Sequence, residues 1–148
     1  MCTVMPMKDQ KADSYVLDDQ VGFMLRLANQ RHTTIFANGI GGDLTPTQWA
    51  TLAKLSEVGP TSQNLLGRLT AMDAATVKGV VERLLKQGLI ETEADPGDAR
   101  RLLVSLTEEG RQLVAATVPR ALQISEATLA PLSRSERATL LKLLRKLG

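Results

Sequence analysis

Apolar residues follow a helical period over most of this chain and give way once to short strand-like runs, and the order of the two predicts the architecture. From Tyr15 to Phe36, positions Leu17, Val21, Leu25, Ala28, His32 and Ile35 recur at three- and four-residue steps, the stripe of an amphipathic helix. Gly39-Ile40-Gly41-Gly42 ends it. Leu44-Thr45-Pro46-Thr47-Gln48-Trp49 then opens a second helix: Thr45 is placed to cap it, Pro46 suits its first position, Gln48 completes a capping box, and Leu44 and Trp49 stand as a hydrophobic staple. This helix runs to about Glu57 before Gly59-Pro60 breaks it. Thr61 starts a short helix to Leu69, Thr70-Ala71-Met72 makes a turn, and Asp73 caps a helix through about Gln87 that Gly88 stops. Leu89 to Glu93 and Leu102 to Leu106 read as two strands around the tip Asp95-Pro96-Gly97-Asp98-Ala99-Arg100-Arg101. Thr107 caps a long helix with Val114, Val118 and Leu122 along one side and a bend expected at Pro119. Ser133 with Glu136 forms a second capping box, and Leu140, Leu141, Leu144 and Leu147 make the apolar edge of the last helix. No internal repeat or low-complexity stretch interrupts this order.

Helix, tight turn, helix and hairpin in succession predict a mainly α fold with a small β-hairpin wing, a winged helix-turn-helix. The expected organisation is a single chain-long unit, 1–148, with the winged lobe at 44–107 and flanking helices at 14–38 and 108–148. With Val77 at the inward centre of the second helix, Val81 and Leu84 share its face at about 100° per residue. Ala75, Thr76, Gly79, Arg83 and Lys86 then lie outward or on the flanks. A helix that enters a major groove needs small outward residues near its N-terminus, because bulk there holds the backbone away from the base edges. Thr76 is placed for a base or a thymine methyl, Lys78 sits on one flank, and Arg83 suits a phosphate. Thr61, Ser62 and Gln63 offer amides and side-chain donors to phosphate at the preceding helix start. Glu82 also points outward and limits the depth of insertion. Two amphipathic helices and a turn are equally compatible with a plain helical bundle; the hairpin separates the two readings. Asp98, two residues before Arg100, can hold the wing by a salt bridge, while Arg100 or Arg101 extends to a narrow minor groove.

Composition narrows the classes. The chain is 43% hydrophobic with only four aromatic residues, Tyr15, Phe23, Phe36 and Trp49, so its core must be aliphatic. A net charge of +2 says little about nucleic acid, and binding would depend on where the bases point. Cys2 is the only cysteine, beside an irregular terminal arm, so no intrachain disulfide forms and a reducing compartment is the simplest expectation. Nothing around Cys2 lowers its thiol pKa as a redox switch requires. No apolar run nears the roughly 18 residues of a membrane span, and the first residues lack a signal peptide's pattern; the expectation is a cytoplasmic protein. A single histidine, no glycine-rich phosphate loop after a strand and no paired metal-ligand motif argue against an enzyme and against a cofactor or metal site. Two alternatives stay open: a metal-responsive DNA-binding regulator, and a winged-helix interaction module that does not touch DNA.

Three segments together resemble the multiple antibiotic resistance regulator (MarR) family of bacterial transcription factors. They are Leu44-Thr45-Pro46-Thr47-Gln48-Trp49, Leu84-Leu85-Lys86-Gln87-Gly88-Leu89-Ile90, and Asp98-Ala99-Arg100 followed by Val104-Ser105-Leu106-Thr107-Glu108-Glu109-Gly110. The family commonly carries arginine where this chain has Ala99, so one wing phosphate contact is absent or moved to Arg101. The resemblance implies a homodimer built by the first and last two helices, double-stranded DNA with a palindromic operator as partner, and a small-molecule effector bound between those helices and the winged lobe. One recognition helix covers too few base pairs for selective binding, which two-fold pairing remedies. Asp18-Asp19-Gln20-Val21-Gly22-Phe23-Met24-Leu25-Arg26 with Gln30-Arg31-His32 is similar to members that control aromatic-acid catabolism. His32 on the apolar stripe, with Arg26, Gln30 and Trp49 nearby, would suit an aromatic carboxylate or phenol. The competing readings are a satisfied core histidine, an Arg26 paired with Asp18 or Asp19, and a Trp49 that only packs. Effector identity, operator sequence and the choice of repression or activation lie outside the chain.

Overall fold

The computed structural model describes residues 14–148; the terminal arm and Cys2 lie outside the described residues. One turn of 3-10 helix, Leu17–Asp19, leads into α1, Val21–Gly39. The single long first helix expected from the stripe is therefore divided. Gln20 is extended (φ −91°, ψ 136°) and starts α1 as its N-cap. Periodicity is blind to this break because Leu17 and Val21 keep a four-residue spacing across it.

The chain continues through α2 (Pro46–Val58), β1 (Thr61–Ser62), α3 (Gln63–Leu69), α4 (Ala74–Lys86), β2 (Ile90–Asp95), β3 (Asp98–Leu106), α5 (Glu108–Leu129) and α6 (Arg134–Leu147). Local signals set most of these boundaries. Thr45 accepts from the Gln48 amide and the Gln48 side chain accepts from the Thr45 amide, both at 3.2 Å, and Ser133 and Glu136 repeat the arrangement at α6. Asp73 and Thr107 cap α4 and α5, and Gly88 leaves α4 with φ +72°, a conformation that costs a residue with a Cβ. α5 runs unbroken through Pro119.

Thr61 does not begin a helix. Gly59 (φ +79°) and Pro60 turn the chain so that Thr61 and Ser62 pair with Val104 and Leu103, giving a three-stranded antiparallel sheet ordered β1-β3-β2. Both wing strands extend further toward the tip than expected, down to the Asp95 and Asp98 partners, with a register irregularity between Ala94 and Asp95.

Two clusters make the core. Leu52, Leu55, Leu66, Val77, Val80, Val81, Leu84, Ile90, Val104, Leu106 and Val114 fill the winged lobe, and Phe36, Ile40 and Ile124 pack α1 on α5. Leu44 and Trp49 pack against both clusters, so the staple at the start of α2 also joins the lobe to the long helices. By contrast, α6 buries none of its residues within the chain. Its Leu141, Leu143, Leu144 and Leu147 stand exposed, as do Leu17, Val21, Leu25 and Leu122.

Candidate nucleic-acid interface and ligand cavity

α3 and α4 cross through the turn at Thr70-Ala71-Met72, where Ala71 takes φ +55° and the Met72 amide donates to the Gly67 carbonyl at 2.9 Å. Val77, Val80, Val81 and Leu84 hold α4 on the core, which leaves Ala75, Thr76, Lys78, Arg83 and Lys86 exposed. Gly79 is half-buried, yet a Cβ added there would meet nothing within 4 Å. Glycine inside a helix costs about 0.5–1 kcal/mol relative to alanine, and no packing within this chain requires it.

The Asp73 carboxylate accepts from the Thr76 amide at 2.7 Å. That bond, helped by the Thr76 hydroxyl, holds its pKa below the ordinary 3.8, so it is ionised at neutral pH and already caps the helix start.

At the wing tip Asp95 accepts from the Gly97 amide at 2.8 Å and Asp98 from the Arg100 amide at 3.0 Å. The expected Asp98–Arg100 pair is present at 3.5 Å, with the Arg100 side chain 94% exposed. An exposed pair of this kind is worth little; it leaves the guanidinium free to exchange the carboxylate for a groove. Arg101 behaves differently. Its Nη2 donates to Ser62 Oγ at 3.0 Å, tying β3 to the start of α3.

Two further expectations change here. Thr61 and Ser62 are buried, at 5% and 7% exposure. Thr61 donates to the Gly59 carbonyl, while Ser62 Oγ accepts from both the Leu65 amide and Arg101. Neither side chain is displayed to a phosphate, because strand pairing with β3 draws both inward. Gln63, half-buried at the first position of α3, stays nearer the surface.

On the other side of the lobe, His32, Phe36, Pro46, Trp49, Ala121, Ile124 and Ser125 line a cavity of about 200 Å³ between α1, α2 and α5. His32 Nδ1 lies 2.8 Å from Thr128 Oγ1, and the Thr128 hydroxyl donates to the Ile124 carbonyl at 2.9 Å. A hydroxyl has one hydrogen, so Thr128 accepts from His32 and the imidazole carries a proton on Nδ1, which in the neutral ring leaves Nε2 as the acceptor. Arg31 donates to the Ala127 and Thr128 carbonyls at the end of α5, the favourable place for a cation. The cavity thus unites His32 with Trp49. Arg26 and Gln30 are exposed and absent from its wall: Arg26 lies roughly 120° around the helix from His32. No ion pair joins Arg26 to Asp18 or Asp19 among the described residues.

Comparison with known proteins fits both features. The MarR family pattern matches residues 42–101, from the α1–α2 loop into the first part of β3. The transcriptional repressor NicR of Pseudomonas putida is 46% identical over 134 residues, covering 90% of this chain and 85% of NicR. The chain belongs to the MarR family.

Solved MarR-like structures extend the match to three dimensions. A probable transcriptional regulator from Pseudomonas aeruginosa superposes with a TM-score of 0.88 at 61% identity, covering 90% of this chain and all of that one. BpsR of Bordetella bronchiseptica, whose DNA binding is regulated by 6-hydroxynicotinic acid, gives 0.87 at 42% identity over 90% of this chain and 96% of its own. The winged helix-turn-helix fold and the function of a DNA-binding transcriptional regulator follow for this MarR-family chain.

Among the described residues, no group of three or more His, Cys, Asp or Glu is placed to hold a metal ion, and no helix is long and apolar enough to cross a membrane. Sequence reasoning missed Arg31, Thr128 and the Arg101–Ser62 link. Each joins segments far apart in the chain, and no local pattern announces it.

Proposed function

We propose that this regulator is a cytoplasmic, homodimeric repressor without catalytic activity, released from a palindromic operator when a hydroxylated aromatic carboxylate enters the His32–Trp49 cavity. The observation that carries this reading is the place of that cavity. Its walls come from α1, α2 and α5, so an occupant touches the long helices and the winged lobe at once. A ligand shifts an equilibrium only through differential affinity for the two states, and a site at this joint meets that condition. BpsR, whose DNA binding is regulated by 6-hydroxynicotinic acid, supports the effector class. His32 Nε2 accepts from a ring hydroxyl, and the apolar walls enclose the ring.

Dimerisation explains the exposed leucines of α6 and of the segment before α1, which exceed what one winged lobe covers. Arg26 and Gln30, on the exposed side of α1 among residues facing a second copy, are the charged and hydrogen-bonding groups that assembly brings toward the effector. On DNA, Ala75, Thr76, Lys78 and Gly79 face the major groove, Arg83 a phosphate, and Arg100 the flanking minor groove, with Asp98 setting the arginine's direction. Gln63 contributes to a phosphate contact at the start of α3.

Duplex titration with and without 6-hydroxynicotinate tests the reading. The acid weakens binding by the parent protein about tenfold or more, a coupling near 1.4 kcal/mol. His32→Ala binds duplex normally but no longer responds. An undiminished response in this variant would remove the effector from this cavity.

A further inference from the structure

A larger cavity, of about 400 Å³, opens between the α1–α2 loop, α2, the end of α4 and α5. It shares no lining residue with the His32–Trp49 cavity. Ile40, Leu44, Leu89 and Leu113 give it apolar walls, and its polar lining is Asp43, Gln48, Gln87, Thr117 and Arg120, of which Arg120 is the one cation.

Gln48 is only 5% exposed. Its Oε1 accepts from the Thr45 amide, whereas its Nε2 has no acceptor among the described residues. Among the described residues no fully buried side-chain polar atom lacks a partner, so this Nε2 is not sealed off, and Gln48 lines the cavity. The Arg120 guanidinium lies against Gly41, where φ is +77° and an added Cβ would come within 1.8 Å of Nη1. A bare backbone is what lets the guanidinium occupy that place. None of the ion pairs among the described residues includes Arg120, and Asp43 on the rim stays beyond pairing distance. The one hydroxyl nearby, on Thr117, already donates to the Leu113 carbonyl at 2.6 Å.

An amide donor sunk in an apolar wall and an unpaired guanidinium facing one space call for an anionic acceptor on an apolar body. We propose that this cavity is a second small-molecule site, for a monocarboxylate with a short hydrocarbon portion. Gln48 Nε2 and Arg120 hold the carboxylate, and the leucine and isoleucine walls take the chain. Leu89 and Gln87, which also line it, follow directly on α4, so the occupant rests against the end of the recognition helix.

The test is an NMR titration of the full protein with hexanoate, and with hexanamide as the uncharged control. Hexanoate is expected to shift the Gln48 side-chain amide and the Leu89 and Leu113 methyls, with hexanamide about tenfold weaker. Gln48→Glu preserves the capping box but replaces the donor by a carboxylate, and Arg120→Ala removes an exposed cation. Each lowers hexanoate affinity about tenfold or more, while His32→Ala does not. Parent-like duplex binding establishes that the variants are folded; should Gln48→Glu fail that check, Arg120→Ala decides. Equal hexanoate affinity in Arg120→Ala and the parent, shifts confined to residues around His32 and Trp49, or no shifts at all overturn the proposal.

Discussion

Arg100 and Arg101 are neighbours in sequence with different surroundings, one exposed and the other bonded to Ser62, and Ser62 is the position at which the difference can be measured. Ser62 Oγ caps α3 through the Leu65 amide and also receives Arg101 Nη2. Loss of a serine cap costs about 1 kcal/mol. The Arg101 bond, to a neutral hydroxyl from a partly exposed cation, contributes about another 1 kcal/mol. Ser62→Ala should therefore cost about 2 kcal/mol, lowering Tm by about 6 °C for a chain of this size, and Arg101→Ala about half as much. Because the hydroxyl serves both bonds, the double variant should match Ser62→Ala, leaving a coupling energy of about 1 kcal/mol. Thermal and denaturant unfolding at fixed protomer concentration give these values, and duplex titration of the same proteins gives the other half. Arg100→Ala weakens DNA binding with unchanged Tm, while Arg101→Ala loses Tm and affects DNA only through wing placement. Additive stability losses, with Arg101→Ala as damaging to duplex affinity as Arg100→Ala, would refute the assignment and return Arg101 to the groove.

Gly79→Ala should raise stability by about 0.5–1 kcal/mol, since a Cβ there meets open space, and at the same time weaken duplex binding; unchanged affinity would mean that nothing approaches this backbone. Leu144→Glu places a charge on the exposed face of α6 and should convert the dimer to monomer in sedimentation or light scattering, with loss of selective operator binding. For Asp73 the pKa is depressed in the folded state, so its contribution is fully present above the ordinary 3.8 and is lost as pH falls through the lower folded value. Asp73→Asn keeps a competent cap and should flatten that part of the acid limb in melts below about pH 5, whereas an unaltered limb would contradict the Thr76 bond as its cause.

How much of this was legible in advance depended on the range of the interaction. The capping boxes at Thr45 and Ser133, the Asp73 cap and the Gly88 stop are written within four residues, and the structure places them where local chemistry predicts. The inward face of α4 was equally plain, with Val80 joining the expected Val77, Val81 and Leu84. β1 was not, because two residues carry no period and Thr61-Ser62 becomes a strand only by pairing with Val104 and Leu103. That pairing buries two side chains that sequence alone offers to phosphate. His32 and Trp49 were brought together as expected, but Arg26 and Gln30 were not, since sharing a helix does not mean sharing its face. The Gln48–Arg120 cavity was invisible for the same reason as β1: its walls come from the α1–α2 loop, α2, the end of α4 and α5, and only packing assembles them.

The most direct measurement is a salt-series titration of duplex from the protein's own upstream region against a scrambled duplex, using parent protein and Arg100→Ala with and without 6-hydroxynicotinate. The account predicts tight, selective binding by the parent, weakened by the acid, and an Arg100→Ala protein that is folded but binds more weakly. Equal affinity for the two duplexes, with no effect of the arginine or of the acid, would contradict it.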